Sequence, residues 1–169
     1  VDENEIWIAP TWNPDGYVFV FDYYNFWRKN RRDNGDGTRG VDQNRNYPLG
    51  WDDPCGGSTD PSDNTYRGPD EASEPETQTM VAWSLDRRFA RVIDLHSRGR
   101  EVVYGYACWE TPFVGFHRAL ASIYADACGY DSLSYRPPSS LGEHFQWQFA
   151  RMSAMAFVLE TQTDYQPYY

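Results

Sequence analysis

The sequence predicts an α/β sandwich in which helices cover a mostly buried β-sheet. In its second half, apolar segments of strand length alternate with segments whose apolar residues recur at helical spacing. This alternation is typical of a sheet covered by helices. The chain has 169 residues, of which 40% are hydrophobic, and this is enough for one core but not for two. We therefore expect a single domain over residues 1–169.

The first 72 residues are predicted to be mostly irregular. Residues 5–9 alternate polar and apolar side chains before Pro10, which predicts a strand. Residues 11–72 are rich in Gly, Pro, Asn and Asp, and irregular segments of this length usually carry function. Their "DNGDGTRGVD" stretch contains several aspartates, but it lacks the spacing and closing glutamate of an EF-hand. It is predicted to be a tight turn.

The regular elements follow from Ser73 onward. A helix is predicted to begin there and run to about residue 86, with Glu76 completing a capping box. Residues 89–97 and 100–107 predict strands, the first of them buried. Further along, the pattern predicts helices over 113–127 and 143–151 and a buried strand over 154–162.

The charge of the chain excludes some classes of partner. The formal net charge is -10 and the isoelectric point is about 4.6, so we expect no binding to nucleic acid or anionic lipid. No apolar run approaches the roughly 20 residues needed to cross a bilayer, so no membrane span is predicted. The amino end lacks the pattern of a signal peptide, so any leader of an exported protein is already removed.

Cysteine and lysine usage bear on the compartment. Cys55, Cys108 and Cys128 lack CxxC spacing, which argues against a zinc ribbon and allows at most one internal disulfide. Two buried thiols, or one bridge and one spare thiol, both remain open. Lysine is nearly absent, which weakly favours an exported or a salt-tolerant protein and does not decide between them.

Two chemically active side chains end predicted strands. His96 closes "VIDLHS" and Glu160 closes "FVLETQ", and ligands of open α/β sheets bind at the carboxyl ends of strands. Taken singly, each residue is more often structural. The chain contains no HxxE or HExxH motif, so these residues alone do not define a metal site.

Six short segments, in a fixed order, carry a family resemblance. They are "NPDGY" (13–17), "WRKNRR" (27–32), "GVDQNRNY" (40–47), "YRGPDEASEPET" (66–77), "DLHS" (94–97) and "FVLET" (157–161). Together they closely resemble the zinc carboxypeptidases of the carboxypeptidase A type, including bacterial members. The resemblance spans most of the chain and implies a three-layer sandwich with a central mixed sheet and flanking helices.

The resemblance assigns a role to the polar stretch around Asn44 and Arg45. In the family this Asn-Arg pair grips the free carboxylate of the substrate. Arginine suits the task because its planar fork matches a carboxylate in geometry and charge. The alternative is that Arg45 pairs with a nearby aspartate of the chain itself.

The resemblance also assigns the catalytic residues. His96 corresponds to a zinc ligand and Glu160 to the general base that takes a proton from metal-activated water. Asp94 lies two residues before His96 on a strand and could orient it. The resemblance makes Glu74 and Glu76 capping residues of a helix start rather than catalytic groups.

Part of the family's site is expected outside this sequence. The resemblance places two zinc ligands, in an HxxE motif, and a carbonyl-polarising arginine upstream of "NPDGY", and a closing helix after Glu160. With His96 as the one ligand, zinc should bind weakly, because catalytic sites use three protein ligands and a water. The chain is then a piece of a longer enzyme, or a complementary second chain completes the site, or this is a reduced form without catalysis.

The resemblance also extends to residues of the substrate pocket. Pro138 stands where the family has a tyrosine that caps the substrate, and Tyr135 is the candidate to replace it. Phe145 falls near the floor of the pocket and would favour apolar terminal residues. Glu143 or His144 in that place would change the preference.

These features lead to one functional hypothesis and two alternatives. We expect a zinc-dependent metallocarboxypeptidase, a hydrolase that acts on the C-termini of peptides or proteins, in an extracellular or periplasmic location. The alternatives are a non-catalytic module that binds terminal carboxylates and an amidase acting on cell-wall peptides. Fold resemblance alone does not separate these substrates.

Overall fold

The computed structural model describes residues 3–130 and 138–164. Four α-helices, one short 3₁₀ helix and three strands make up the regular structure of these residues. The helices are α1 (Pro14–Asp22), α2 (Pro75–Arg87), α3 (Val114–Ala127) and α4 (His144–Met152). The strands are β1 (Arg91–His96), β2 (Glu101–Val103) and β3 (Met155–Glu160). The predicted α/β class is therefore confirmed.

The three strands form one mixed sheet in the order β1-β3-β2. Strand β3 runs parallel to β1 and antiparallel to β2. The register pairs His96 with Glu160 at the carboxyl ends of β1 and β3. Parallel strands end at the same edge of a sheet, so the topology brings these two side chains together.

Helices cover both faces of β3, which gives the three layers. Ala156 and Val158 pack on Phe145 of α4. Phe157 and Leu159 point to the other face and pack with residues of α3. All four are buried, as expected for a central strand with apolar contacts on both sides.

The expectation that β1 is the buried strand is wrong. Its burial alternates between exposed and intermediate, and Ile93 and Leu95 are 42% and 71% exposed. The reason is position: within the described residues β1 lies at the edge of the sheet, while β3 takes the centre. An apolar run of strand length does not reveal which position its strand will occupy.

The first 30 residues differ from the prediction in two ways. Residues 5–9 are not a strand; a strand needs a neighbour to pair its backbone groups, and instead Trp7 packs edge-on against Trp83 at 5.9 Å. Helix α1 lies inside the segment predicted to be irregular. Asn13 caps it by accepting a hydrogen bond from the Gly16 N–H at 3.1 Å, with proline in the first turn.

Helix α2 begins without the predicted capping box. Its N-cap residue is Glu74, which makes no side-chain capping bond, and the Ser73 hydroxyl donates to Glu74 Oε1 at 2.7 Å. Glu74 is 1% exposed and accepts from Asn30 at 2.6 Å and Arg32 at 2.8 Å. Glu74 therefore anchors the preceding loop through a buried hydrogen bond from Asn30 and a partly buried ion pair with Arg32.

The remaining expectations concern a turn, the cysteines and the membrane. The segment around residues 33–39 forms a tight turn in which Asp36 accepts from the Thr38 N–H at 2.8 Å. Cys55 and Cys108 form a disulfide, and the Cys128 thiol is exposed. Of the two possibilities left open by the sequence, one bridge and one spare thiol is therefore correct. Among the helices of the described residues, none has the length and apolar character to cross a membrane.

Candidate active site

The polar stretch of the sequence folds into a short 3₁₀ turn, Gln43–Arg45. Asp42 precedes the turn and accepts from the Asn44 N–H at 3.2 Å. The Arg45 side chain is buried, and its Nη1 donates to the Asn44 carbonyl at 2.6 Å. Its Nε is buried and has no hydrogen-bond partner among the described residues. A guanidinium with an unused donor can bind a further anion.

The 3₁₀ turn is joined directly to the start of α4. The Asn44 Oδ1 accepts from the His144 N–H at 3.0 Å, which leaves Nδ2 as the donor end of this amide. The Tyr47 N–H donates to the Gly142 carbonyl at 3.0 Å. Gly142 has φ of +86°, and a Cβ there would lie 2.7 Å from the Arg45 carbonyl oxygen, so this approach requires glycine.

The partner of Arg45 is a glutamate that lies far away in sequence. Arg45 Nη1 lies 3.2 Å from Glu143 Oε1, rather than beside one of the nearby aspartates. Burial raises the pKa of Glu143 to about 7, Arg45 opposes the rise, and the Asp42 and Asp94 carboxylates add to it. Glu143 therefore carries a proton part of the time near neutral pH.

His96 and Glu160 lie close together at the carboxyl ends of β1 and β3, as their positions in the sequence predict. His96 Nδ1 lies 4.0 Å from Glu160 Oε1. Burial lowers the pKa of His96, and the Asp94 carboxylate works in the opposite direction. A lowered pKa keeps the imidazole neutral, which is the form that binds metal ions.

Asp94 has a different partner from the expected one. Its two oxygens lie 2.8 and 3.0 Å from His144 Nδ1, rather than on the His96 ring. Gln148 Nε2 lies 2.8 Å from His144 Nε2. The Asp94 carboxylate can only accept, so His144 Nδ1–H donates to Asp94. Asp94 thus joins β1 to α4 and acts on His96 through its charge.

The structure adds one candidate that sequence reasoning missed. Arg28 Nη2 lies 2.6 Å from Asp42 Oδ2, and its side chain is 43% exposed. Its charge lowers the pKa values of both His96 and Glu143, which places it in the same site. The signal was the "WRKNRR" segment, whose arginines the sequence analysis did not assign.

The structure leaves the roles of the two predicted pocket residues, Phe145 and Tyr135, untested. Phe145 is fully buried and packs on Val103, Ala156 and Val158, so its role in substrate preference remains a prediction. Tyr135 lies outside the described residues.

The described residues lack a complete set of side chains for a zinc site. Within residues 3–130 and 138–164, no group of three or more His, Cys, Asp or Glu side chains is placed to hold a metal ion. The described residues therefore do not complete a zinc site, and His96 stands as a single candidate ligand.

The chain and its fold have known relatives. The chain belongs to the zinc carboxypeptidase family, whose profile matches residues 1–165. It is 37% identical over 135 residues to a metallocarboxypeptidase A of Trichophyton rubrum, covering 75% of this chain and 32% of the relative. It is 31% identical over 167 residues to carboxypeptidase A6 of Homo sapiens, covering 91% of this chain and 38% of the relative.

A solved structure agrees with this assignment. Carboxypeptidase A from Helicoverpa armigera superimposes with a TM-score of 0.82 at 25% identity, covering 95% of this chain and 43% of that one. The chain thus spans about a third of the curated relatives it matches.

Proposed function

We propose that the protein containing this chain is a metallocarboxypeptidase that removes residues from the C-termini of peptides or proteins. Family membership supports this activity. The observation that carries it is the buried Arg45, whose Nε lacks a partner among the described residues. The charge of Arg45 acts on His96, which lies 4.0 Å from Glu160. An anion receptor in the same site as a candidate base fits a substrate that ends in a carboxylate.

Arg45 and Asn44 provide the substrate-binding part of the proposal. The guanidinium would bind the terminal carboxylate by charge-assisted hydrogen bonds. The Nδ2 end of Asn44 would add a neutral donor, since Oδ1 is held by the His144 N–H. The bonds that join the 3₁₀ turn to α4 keep both donors in place.

Glu160 and Arg28 provide the chemical part. Glu160 would take a proton from the attacking water and pass it to the leaving amine. The half-exposed Arg28 would stabilise the negative charge that develops on the scissile carbonyl oxygen. The described residues offer one imidazole, whereas a catalytic zinc site needs three protein ligands, so the missing ligands would come from elsewhere in the protein or from a complementary chain.

The second candidate function is a module that binds terminal carboxylates without hydrolysing the peptide. Such a module would need Arg45 and Asn44 but no metal. Chelator-sensitive release of terminal amino acids by the full-length protein would separate the enzyme from the module.

We also propose an extracellular or periplasmic location. The Cys55–Cys108 disulfide supports it, because disulfides persist in oxidising compartments.

The binding part is tested by titrating a peptide with a free carboxyl end and its amidated form against the full-length protein. Arg45→Ala should weaken binding of the free peptide by about 1.5–3 kcal/mol, the range for a hydrogen bond to a charged group. Asn44→Ala should have a smaller effect, and the amidated peptide should be little affected by either change. Arg39→Ala is the control, because Arg39 pairs with Asp33 on the surface. Equal losses for both peptides would contradict the proposal.

A further inference from the structure

The arginine proposed to bind substrate is already occupied by an anion of the chain itself. Arg45 Nη1 lies 3.2 Å from Glu143 Oε1, and the two side chains are 9% and 8% exposed. A peptide carboxylate therefore meets a guanidinium whose positive charge is balanced before the peptide arrives.

We propose that Glu143 is an internal competitor for Arg45, and that Glu143 takes up a proton from solvent when a peptide's terminal carboxylate binds there. This inference rests on the proposed function, because it takes Arg45 as the carboxylate receptor. It makes Glu143 a specificity-determining residue that links affinity for free carboxyl ends to pH.

The charges around Glu143 explain why Glu143 must take up a proton when a second carboxylate binds to Arg45. Asp42 and Asp94 face it with negative charge, and Arg28 and Arg45 with positive charge. Arg28 is already paired with Asp42 at 2.6 Å. The neighbouring His144 ring is bound to Asp94. Among the described residues around Glu143, Arg45 is then the cation left for both Glu143 and the ligand. Two carboxylates that share one buried site cannot both stay ionised without a large cost.

Two observations indicate that Glu143 can lose its ion pair with Arg45. Burial raises the pKa of Glu143 to about 7 even with Arg45 beside it, so protonation near neutral pH costs little free energy. The connection between the 3₁₀ turn and α4 does not depend on the ion pair. Asn44 binds the His144 N–H and Tyr47 binds the Gly142 carbonyl, and neither bond involves the Glu143 side chain.

The test is a calorimetric titration of the full-length protein with N-acetylphenylalanine and with its amide, in two buffers of different ionisation enthalpy, from pH 6 to 8.5. N-acetylphenylalanine should bind with uptake of close to one proton above pH 7. Its affinity should fall about tenfold per pH unit above the pKa of Glu143. The amide should show no uptake.

Glu143→Gln should abolish the proton uptake and make the affinity nearly constant with pH, at least tenfold tighter than the wild type at pH 8.5. Glu76→Gln is the matched control. Burial also raises the pKa of Glu76, but this residue lies in the first turn of α2 and should leave the proton uptake unchanged. Uptake that persists in Glu143→Gln would overturn the inference.

A carboxyl ¹³C NMR titration of Glu143 in the wild type keeps the test independent of that variant's folding. The pKa of Glu143 should rise on addition of N-acetylphenylalanine, and an unchanged value would overturn the inference. If the ligand binds better than its amide and requires Arg45, but without proton uptake, the inference alone fails. If it binds no better than its amide, the proposed function fails and the inference with it.

Discussion

His144 Nδ1 lies 2.8 Å from Asp94 Oδ1, and this contact joins the first residue of α4 to the edge strand β1. The His144 backbone N–H also binds Asn44. One residue thus connects the strand that carries His96 to the 3₁₀ turn that carries Arg45. The distance between the proposed catalytic and binding groups depends on this connection.

Asp94→Ala should destabilise the full-length protein by about 1–3 kcal/mol, because the buried His144 Nδ1–H would lose its acceptor. Urea unfolding measures the loss. Asp94→Asn, which keeps an acceptor oxygen, should cost less. The control is Asp86→Ala, since Asp86 pairs with its neighbour Arg87 and its side chain is 71% exposed. If Asp94→Ala and Asp86→Ala were equally stable, the contact would have no structural role.

Gly142→Ala should cost more stability than Gly35→Ala. Both residues have positive φ, of +86° and +79°, so both alanines pay about 1 kcal/mol for the left-handed backbone. At Gly142 the added Cβ would also lie 2.7 Å from the Arg45 carbonyl, whereas nothing lies within 4 Å at Gly35. This overlap should add about 1–3 kcal/mol and weaken binding of free carboxyl ends. Equal unfolding midpoints for the two variants would refute it.

Glu160→Gln should reduce turnover by the full-length protein by about 10²–10⁴-fold while peptide binding stays nearly intact, because only the proton transfer is lost. Release of terminal amino acids and equilibrium binding are measured on the same preparation. Glu110→Gln, at an exposed position, is the control for a general charge effect. Near-normal turnover would mean that Glu160 has a structural role only.

Glu143 should contribute a stabilisation of the folded wild type that decreases as pH rises from about 4.5 to about 7. Its pKa is raised by burial from 4.5 to about 7, so the folded state binds more protons than the unfolded state in this window. The stabilisation is therefore present below pH 4.5 and lost as pH rises through 7, by roughly 3 kcal/mol. Urea unfolding of wild type and Glu143→Gln from pH 4.5 to 8 isolates this part. Parallel pH profiles for the two proteins would show that Glu143 titrates normally.

Local sequence patterns predicted the elements whose structure follows from the spacing of their own apolar residues. Helix α3, helix α4 and strand β3 lie close to where their apolar spacing placed them, because amphipathic spacing and burial act along a single element. Helix α1 had an equally local signal in Asn13 and Pro14, but its aromatic and β-branched residues and its position among turn signals concealed it. For residues 5–9 the alternation was real, but no neighbouring strand pairs with them in the described structure.

Four side chains of the candidate site, Asn44, Arg45, His96 and Glu160, could be named from the order of the short motifs in the sequence, whereas Arg28 was missed. The partners of the site's side chains could not be named. Arg45 meets Glu143 and Asp94 meets His144 across long stretches of chain, and only packing of α4 against the sheet brings these groups together. The raised pKa of Glu143 has the same origin, because the desolvation that causes it exists only once the core has closed around the residue.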